Sequence, residues 1–465
     1  MNKHRLILKN INLLKKYDVH AFDYIEYPHK SFWNNSIDES EIRSRLKNIV
    51  ELQTSTMLYI HIPFCEQLCT FCLCHRQITS DKKIAMNYLK NSLFLEIDLM
   101  KSIAEETGKK FNIKEVYFGG GSPTYLNEEE FLLLKNKISE IVDYKNIFQF
   151  SVEIDPRRVK EERLIFYAEN GVNKISFGVQ DFDIEVQKNI NRIQPSQLMH
   201  NLLTTKVRNS FKSINFDLLV GLPGQTIKSI NATINEVIKL KPDRIALAYL
   251  AYNPDFHPHQ RHMMLKQLLP DFYERKALFV EALDVLSSSQ YIRTGFEHFA
   301  LPEDDVSKAL KSKKTYYNSF GATTGNCTTV LALGRSSYST IGDDLYYQNF
   351  YNQNNYEKTL QSGKIPFERG WVLNRNDILR REIIKDIRTF FELDIEKISN
   401  RHNINFDEYF KEENSRLKEF FNDNLIYKEK NKLILTEDGK HFANLIGSNF
   451  DTFLKTNIRF NQAVV

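Results

Sequence analysis

From residue 58 the chain keeps one rhythm: short apolar runs alternate with amphipathic stretches of ten residues or more. The runs at 58–62, 115–118, 148–154, 174–179, 214–220 and 244–250 read as strands, and the stretches at 84–106, 128–142, 161–170, 196–208 and 227–240 read as helices. Strands linked in succession through helices pair in parallel, with right-handed crossovers. Six of them suffice for an open barrel or a doubly wound sheet. In either fold the chemistry collects at the carboxyl ends of the strands.

Outside that rhythm the pattern changes. Residues 1–57 are polar and aromatic, with Tyr24, Tyr27 and Trp33, and show no sustained periodicity. The alternation fades after about residue 255, and 310–350 is so rich in Ser, Thr, Gly, Asn and Tyr that it reads as the wall of a site rather than a core. From Asn376 a separate unit begins, with Leu379, Ile383, Ile387, Phe390 and Phe391 at helical spacing, a second helix at 406–421, short strands at 425–428 and 432–435, and a helix from Glu437. Helices followed by a small wing resemble a winged-helix module. Its basic residues are interleaved with acids, which favours a structural or lid role over DNA binding. The expected division is therefore 1–57, 58–255, 256–375 and 376–465.

Charge narrows the function. The chain has 63 Lys and Arg against 59 Asp and Glu, a net +4, too balanced for a protein built mainly to grip nucleic acid or an anionic membrane. With 465 residues, 42% hydrophobic and 26% charged, it reads as a globular chain of two or three domains with a large core. No apolar run is long enough to span a bilayer, and the basic start, Met1 to Arg5, lacks the pattern of a signal peptide. The expectation is a soluble, cytoplasmic protein.

Four of the five cysteines, Cys65, Cys69, Cys72 and Cys74, fall within ten residues, and Cys327 lies far away. A disulfide framework would spread its cysteines along the chain. Thiolates at C-x3-C-x2-C can instead wrap three corners of a 4Fe-4S cluster and leave one iron open to a small molecule. Zinc held by four cysteines prefers two separated knuckles, and Cys74 sits too close behind Cys72 to join the same cluster. Other polar residues interrupt apolar strands or follow them. Gly119 to Thr124 follow the second strand, where missing side chains would let a ligand approach the backbone. Glu153, Gln180 and Asp217 lie in or just past strands and Arg192 close by, an arrangement that suits a ligand-filled barrel mouth better than a core.

With the first strand ending in Tyr59 to Phe64 (YIHIPF), this cysteine spacing resembles the signature of the radical S-adenosylmethionine (SAM) superfamily. Cys74 and the order of later motifs resemble one family within it, the oxygen-independent coproporphyrinogen III oxidases. The likeness runs from about residue 20 through the segment Asn449 to Phe453. It implies an α/β fold: a partial (β/α)6 barrel with an N-terminal extension near the substrate side and a C-terminal helical, winged-helix-like domain. It also implies a 4Fe-4S cluster on Cys65, Cys69 and Cys72, and two SAM molecules. The matching SAM positions are Gly120, Gly121, Ser122, Glu153, Gln180, Arg192 and Asp217, with Tyr59, Phe71 and Ala251 as further contacts, while Leu222 to Thr226 match a structural turn.

The implied reaction passes one electron to the SAM sulfonium, giving methionine and a 5′-deoxyadenosyl radical. That radical takes a hydrogen from a propionate of coproporphyrinogen III, and loss of CO2 and an electron leaves a vinyl group, twice per molecule. The implied partners are a porphyrinogen-like small molecule and a one-electron donor, with neither nucleic acid nor membrane, and the family implies a monomer.

Departures from the family pattern gather on the substrate side. Asp23 to Pro28 (DYIEYP) stands where the family has an arginine, Ser319 and Phe320 replace a Phe-Gln pair, Cys327 replaces an acid, and Tyr338 replaces a small aliphatic residue. Two other readings follow from this: a paralogue using a second SAM as methyl or methylene donor, and a haem-binding or haem-delivery protein.

Overall fold

The structure, a computed structural model, describes residues 6–18, 22–264 and 269–454, so Met1 to Arg5 lie outside it. Six strands run in parallel from β1 (Thr56–Ile62) through β2 (Ile113–Gly120), β3 (Gln149–Ile154), β4 (Lys174–Gln180), β5 (Ser213–Val220) and β6 (Arg244–Tyr249), each paired with the next. Their two faces differ sharply. On β4, Ile175, Phe177 and Val179 are buried, whereas Ser176, Gly178 and Gln180 point the other way and line a cavity. The same alternation on β3 and β5 puts Phe150, Val152, Phe216 and Leu218 in the core and Ser151, Glu153, Asn215 and Asp217 in the interior space. Such an inner face cannot pack dry, because its polar groups need partners. The barrel therefore encloses a lumen.

After β6 come β7 (Ile292–Arg293) and β8 (His298–Ala300), and on the far side of β1 lie β9 (Thr329–Leu333), β10 (Tyr338–Ile341), β11 (Leu345–Asn349) and β12 (Phe367–Val372). The order is β12-β11-β10-β9-β1-β2-β3-β4-β5-β6-β8-β7, an open sheet whose ends do not meet. Residues 310–350 are thus not only a wall. β9 is wholly buried and pairs in parallel with β1, so its Val330, Leu331 and Leu333 are core that the polar composition around them concealed. Before β1, the helix Glu39–Glu51 buries Ile42, Leu46, Ile49 and Val50, a helical stripe inside a stretch that reads as aperiodic. The helix expected at 196–208 is two, Ser196–Leu202 and Thr205–Ser210, because the Thr204 hydroxyl accepts from Val207 N at 3.2 Å and starts a new one.

The C-terminal unit begins with Arg375–Phe390, capped by Asn374. It continues through Ile395–His402, Phe406–Tyr409 and Lys411–Asn422, so the single helix expected at 406–421 is broken and preceded by another. Strand β13 (Glu392–Asp394) joins β14 (Ile426–Glu429) and β15 (Lys432–Leu435) in a sheet ordered β13-β15-β14. A 3-10 turn, Gly439–Phe442, stands where a helix from Glu437 was expected, and Ala443–Ser448 follows it. This unit packs on the barrel. Arg388 pairs with Glu297 at 3.1 Å and stacks 3.8 Å from the Tyr317 ring centre. It also meets the N-terminal extension, where Tyr24 donates to Asp451 at 3.0 Å and Tyr27 lies 3.1 Å from the Thr452 hydroxyl. Among the described residues no helix is long and apolar enough to cross a membrane.

Candidate active site

β1 ends at Ile62, and the cysteines follow in a loop closed at its base. Phe64–Cys65 pairs with Gln77–Ile78, and Thr79 N donates to Cys65 O at 3.0 Å. The loop is pinned from outside as well, because Asn191 donates to Leu68 O at 2.8 Å and Gln260 to Phe71 O at 3.2 Å. Cys65, Cys69, Cys72 and Cys74 all line one cavity of about 250 Å³ at the carboxyl ends of the strands. Cys74 thus shares the space from which its spacing seemed to exclude it. Among the described residues no three Cys, His, Asp or Glu side chains close on a point the size of a single ion.

The surroundings of these thiols suit thiolate ligands. Arg192 Nη1 lies 3.5 Å and Arg157 Nη2 3.8 Å from Cys69 Sγ, and the Asp155 carboxylate holds both guanidiniums, at 3.5 and 2.7 Å. Arg192 Nε is buried without a partner. The Cys72 thiol is pulled down to about 6, first by a hydrogen bond from Cys74 and then, against burial, by Arg76. Cys65 lacks such help, and burial pushes it up to about 12. Two thiols with cationic neighbours and a third in the same cavity fit the donor set of an iron–sulfur cluster, whose binding itself deprotonates its ligands.

The glycine turn serves the protein before any ligand. A Cβ on Gly119 would fall 2.8 Å from the Glu153 carboxylate, one on Gly120 2.7 Å from the His61 ring, and one on Gly121 2.9 Å from the Phe64 backbone. The space expected for a ligand is thus filled on the Cβ side by protein, although Gly120, Gly121 and Ser122 still edge the cavity. Gly120 has φ +114°, beyond the reach of most side chains. Bare backbone lets Glu153 lie against β2, where it accepts from Gly120 N and from Tyr117 OH, both at 3.1 Å. Burial, with Asp217 nearby, pushes Glu153 up to about 7. Asp217 is also raised by burial, while Ser176 at 2.8 Å and Asn215 at 2.7 Å donate to it. His61 Nε2 donates to His75 O at 3.0 Å, which leaves Nδ1 to accept from Tyr59 OH at 3.0 Å. Burial holds this imidazole down to about 4, so it stays neutral.

Gln180 owes its position to a bulge. The register of β4 on β5 shifts between Gly178 and Gln180, and Gln180 takes φ +66° and lines the cavity. All the candidate residues share this cavity except two. Tyr59 packs below it, its ring centre 5.0 Å from that of Phe320, and Tyr117 is 4.6 Å from Phe320. Ala251 lies outside the lining, and its carbonyl accepts from Gln260 at 2.9 Å. Sequence reasoning missed Asp155 and Arg157; their signal was the Asp-Pro-Arg-Arg turn directly after β3.

A second cavity, of about 290 Å³, occupies the lower lumen and shares Glu153, Ser176 and Asp217 with the first. The hairpin Tyr316–Asn318 and Gly321–Thr323 closes it, and Ser319, Phe320, Thr323 and Thr324 are in its wall. Other departures from the family pattern lie nearby. Tyr338 donates to the buried Glu26, Asp23 accepts from Ile25 N at 3.2 Å, and Cys327 is buried against Met57, Val330 and Ala332.

Comparison with known proteins adds to the geometry. A model described as the radical SAM superfamily matches residues 59–237, and one described as the HemN C-terminal domain matches 373–442. Proteins named oxygen-independent coproporphyrinogen III oxidase are similar along nearly their whole length. The one from Pseudomonas aeruginosa is 31% identical over 97% of this chain and 98% of its own. That from Escherichia coli K12 is 31% identical over 97% of each chain, and that from Helicobacter pylori 26695 is 32% identical over 93% and 94%. A solved structure of the Escherichia coli coproporphyrinogen III oxidase, described as a radical SAM enzyme, superposes with a TM-score of 0.85 at 30% identity, over 95% of this chain and 99% of that one.

Proposed function

Since the chain belongs to the family of oxygen-independent coproporphyrinogen III oxidases within the radical SAM superfamily, we propose that it oxidatively decarboxylates two propionates of coproporphyrinogen III to vinyl groups, giving protoporphyrinogen IX. The observation that carries this reading is the upper cavity, where Cys65, Cys69 and Cys72 meet Gly120 to Ser122, Glu153, Gln180, Arg192 and Asp217 in one space. The three cysteines would hold the cluster and the other residues SAM. When bound, these cofactors supply one-electron cleavage of the sulfonium and removal of a hydrogen atom from carbon.

The chain's own residues set the stage for that chemistry. Asp155 fixes Arg157 and Arg192 beside Cys69 and so concentrates positive charge on the thiolate side. Glu153, whose carboxyl burial raises to about 7, can accept from an ammonium when ionised or donate to a carboxylate when protonated. Neutral His61 accepts from the Tyr59 hydroxyl and so orients it. The reading extends to a second SAM in the lumen, a one-electron donor, and a monomer in the cytoplasm.

The test is anaerobic: reconstitute the cluster, add SAM, reductant and coproporphyrinogen III, and follow deoxyadenosine and tetrapyrrole by mass. Loss of two CO2 per tetrapyrrole is expected. Deoxyadenosine without decarboxylation would retain the radical chemistry and reject the substrate; transfer of labelled methyl groups would point to the donor paralogue.

A further inference from the structure

If the substrate is the tetrapyrrole proposed above, it carries carboxylates into the lumen, and the upper cavity does not welcome them. Glu153 and Asp217 stand there as acids, and Arg157 and Arg192 are engaged by Asp155. The N-terminal segment, where an arginine would suit a carboxylate, offers Asp23 and Glu26 instead.

The lower cavity shares Glu153 and Asp217 at its top, but its floor is cationic. Lys174 and Arg244 are the first residues of β4 and β6, and the alternation of those strands turns both into the lumen. The Lys174 side chain is only 9% exposed, and Asp305, the carboxylate within ion-pair reach, stays 3.8 Å from it. Arg244 gives its Nε to Asp304, at 2.9 and 3.0 Å, which leaves Nη2 buried with no partner. Asn318 accepts from Phe320 N at 2.9 Å, which orients its amide and leaves Nδ2 unpartnered and buried. His298 Nδ1 and Thr324 Oγ1, in the same wall, are also buried without partners. The acids of this region are already answered: Asp304 by Arg244 and Ser213, Glu297 by Arg388 and Tyr317, Asp217 by Ser176 and Asn215, and Glu153 by Tyr117 and Gly120 N. Glu115, beside Lys174, is held by burial up to about 7. What remains is Lys174, whose pair with Asp305 is a long 3.8 Å, and several buried donors without partners, which is what a carboxylate requires.

We propose that Lys174, Arg244 and Asn318 form an anchoring site for a propionate carboxylate of the tetrapyrrole at the floor of the lumen. Acids above and cations below then orient the substrate. From Lys174 to Gln180 is six residues of strand, roughly 20 Å, so an anchored carboxylate lies far from the cysteine end and a different propionate faces the reacting side. The shared wall of Ser176, Glu153 and Asp217 is where the two ends of the substrate would pass from one cavity to the other.

The test uses the reconstituted holoenzyme without oxygen, and two fluorescent ligands: coproporphyrin III, the stable oxidised form of the substrate, and its tetramethyl ester. Lys174→Met should weaken the tetra-acid by about 10- to 100-fold, the range for a hydrogen bond between charged groups, and leave the ester and SAM as in the wild type. Lys174→Arg should restore most of the loss. Unchanged tetra-acid affinity in Lys174→Met overturns the anchor, as does an equal loss for acid and ester, which would mark a packing defect. A wild type that cleaves SAM but binds no tetra-acid overturns the substrate reading itself, a failure that looks different from either of these.

Discussion

The two ends of the lumen are built in different ways. The upper end comes from short contiguous segments: the cysteine loop, the glycine turn after β2, the Glu-Ile-Asp-Pro-Arg stretch of β3, and the end of β4 with the loop behind it. The lower end comes from the first residues of several strands and from a hairpin more than a hundred residues downstream of β4. Arg388, from the C-terminal helix Arg375–Phe390, braces it through Glu297 and Tyr317. One end is encoded by motif and the other by topology. Substitutions should therefore act locally at the top and through the fold at the bottom.

The largest effect tests the top. Cys65→Ala, Cys69→Ala and Cys72→Ala should each abolish cluster colour and SAM cleavage, while Cys74→Ala keeps its iron. Because Cys74 lines the same cavity, iron analysis of that variant is the sharper measurement. A Cys72→Ala protein with a full iron load would show that Cys74 can substitute, and the assignment of ligands would fall.

At the bottom, Arg388→Met should cost about 3–5 kcal/mol by leaving the buried Glu297 without its cation. The shift is read from the urea midpoint. The comparison predicts that the folded fraction of this variant still takes up a full cluster, since no element of the upper cavity touches Arg388. Loss of iron in the folded fraction would break the separation between the two ends.

The same contrast explains what the sequence showed. The six parallel strands were legible because each is a short apolar run between amphipathic helices, and Cys65, Glu153 and Asp217 because each stands out against its strand or its spacing. β9 was not legible: Thr329–Leu333 is five residues long, and its neighbours are Gly, Ser and Thr. The helix Glu39–Glu51 hid its stripe at 42, 46, 49 and 50 among charged residues. Lys174 and Arg244 looked like ordinary polar strand starts. Only the register with the neighbouring strand, Lys174 beside Ser213 and Arg244 beside Asn215, puts them in the lumen. For the glycine turn only half of the surroundings was legible, since no local pattern says that Glu153 and His61 fill the space on its Cβ side.

Gly120→Ala sharpens that last point. Its Cβ would meet the His61 ring at 2.7 Å on a backbone with φ +114°, a strain of about 1–3 kcal/mol. Displacement of His61 would free Tyr59, so SAM affinity should fall more than stability does. Pairing the change with His61→Ala should recover part of the lost stability by opening the space but none of the SAM affinity, since Tyr59 still lacks its partner, and no recovery of stability would place the defect in the backbone alone.

The smallest effect belongs to the floor and depends on pH. Glu115 is buried, and its carboxyl is raised from 4.5 to about 7, chiefly by desolvation, with Lys174, Arg244 and a hydrogen bond from Cys327 opposing the shift. Between those two values the folded protein holds a proton that the unfolded chain releases. Its contribution to stability is therefore fully present below about pH 4.5 and fades as pH rises through 7. Glu115→Gln removes that loss, because the amide never ionises. Measured as the difference in urea midpoint between variant and wild type, Glu115→Gln should gain about 1–2 kcal/mol from pH 5 to pH 7 relative to its standing at pH 5. A difference that stays flat with pH would mean that Lys174 holds Glu115 ionised throughout. The floor would then carry a closed ion pair instead of an open cation, and Lys174 would have no charge to spare for a ligand.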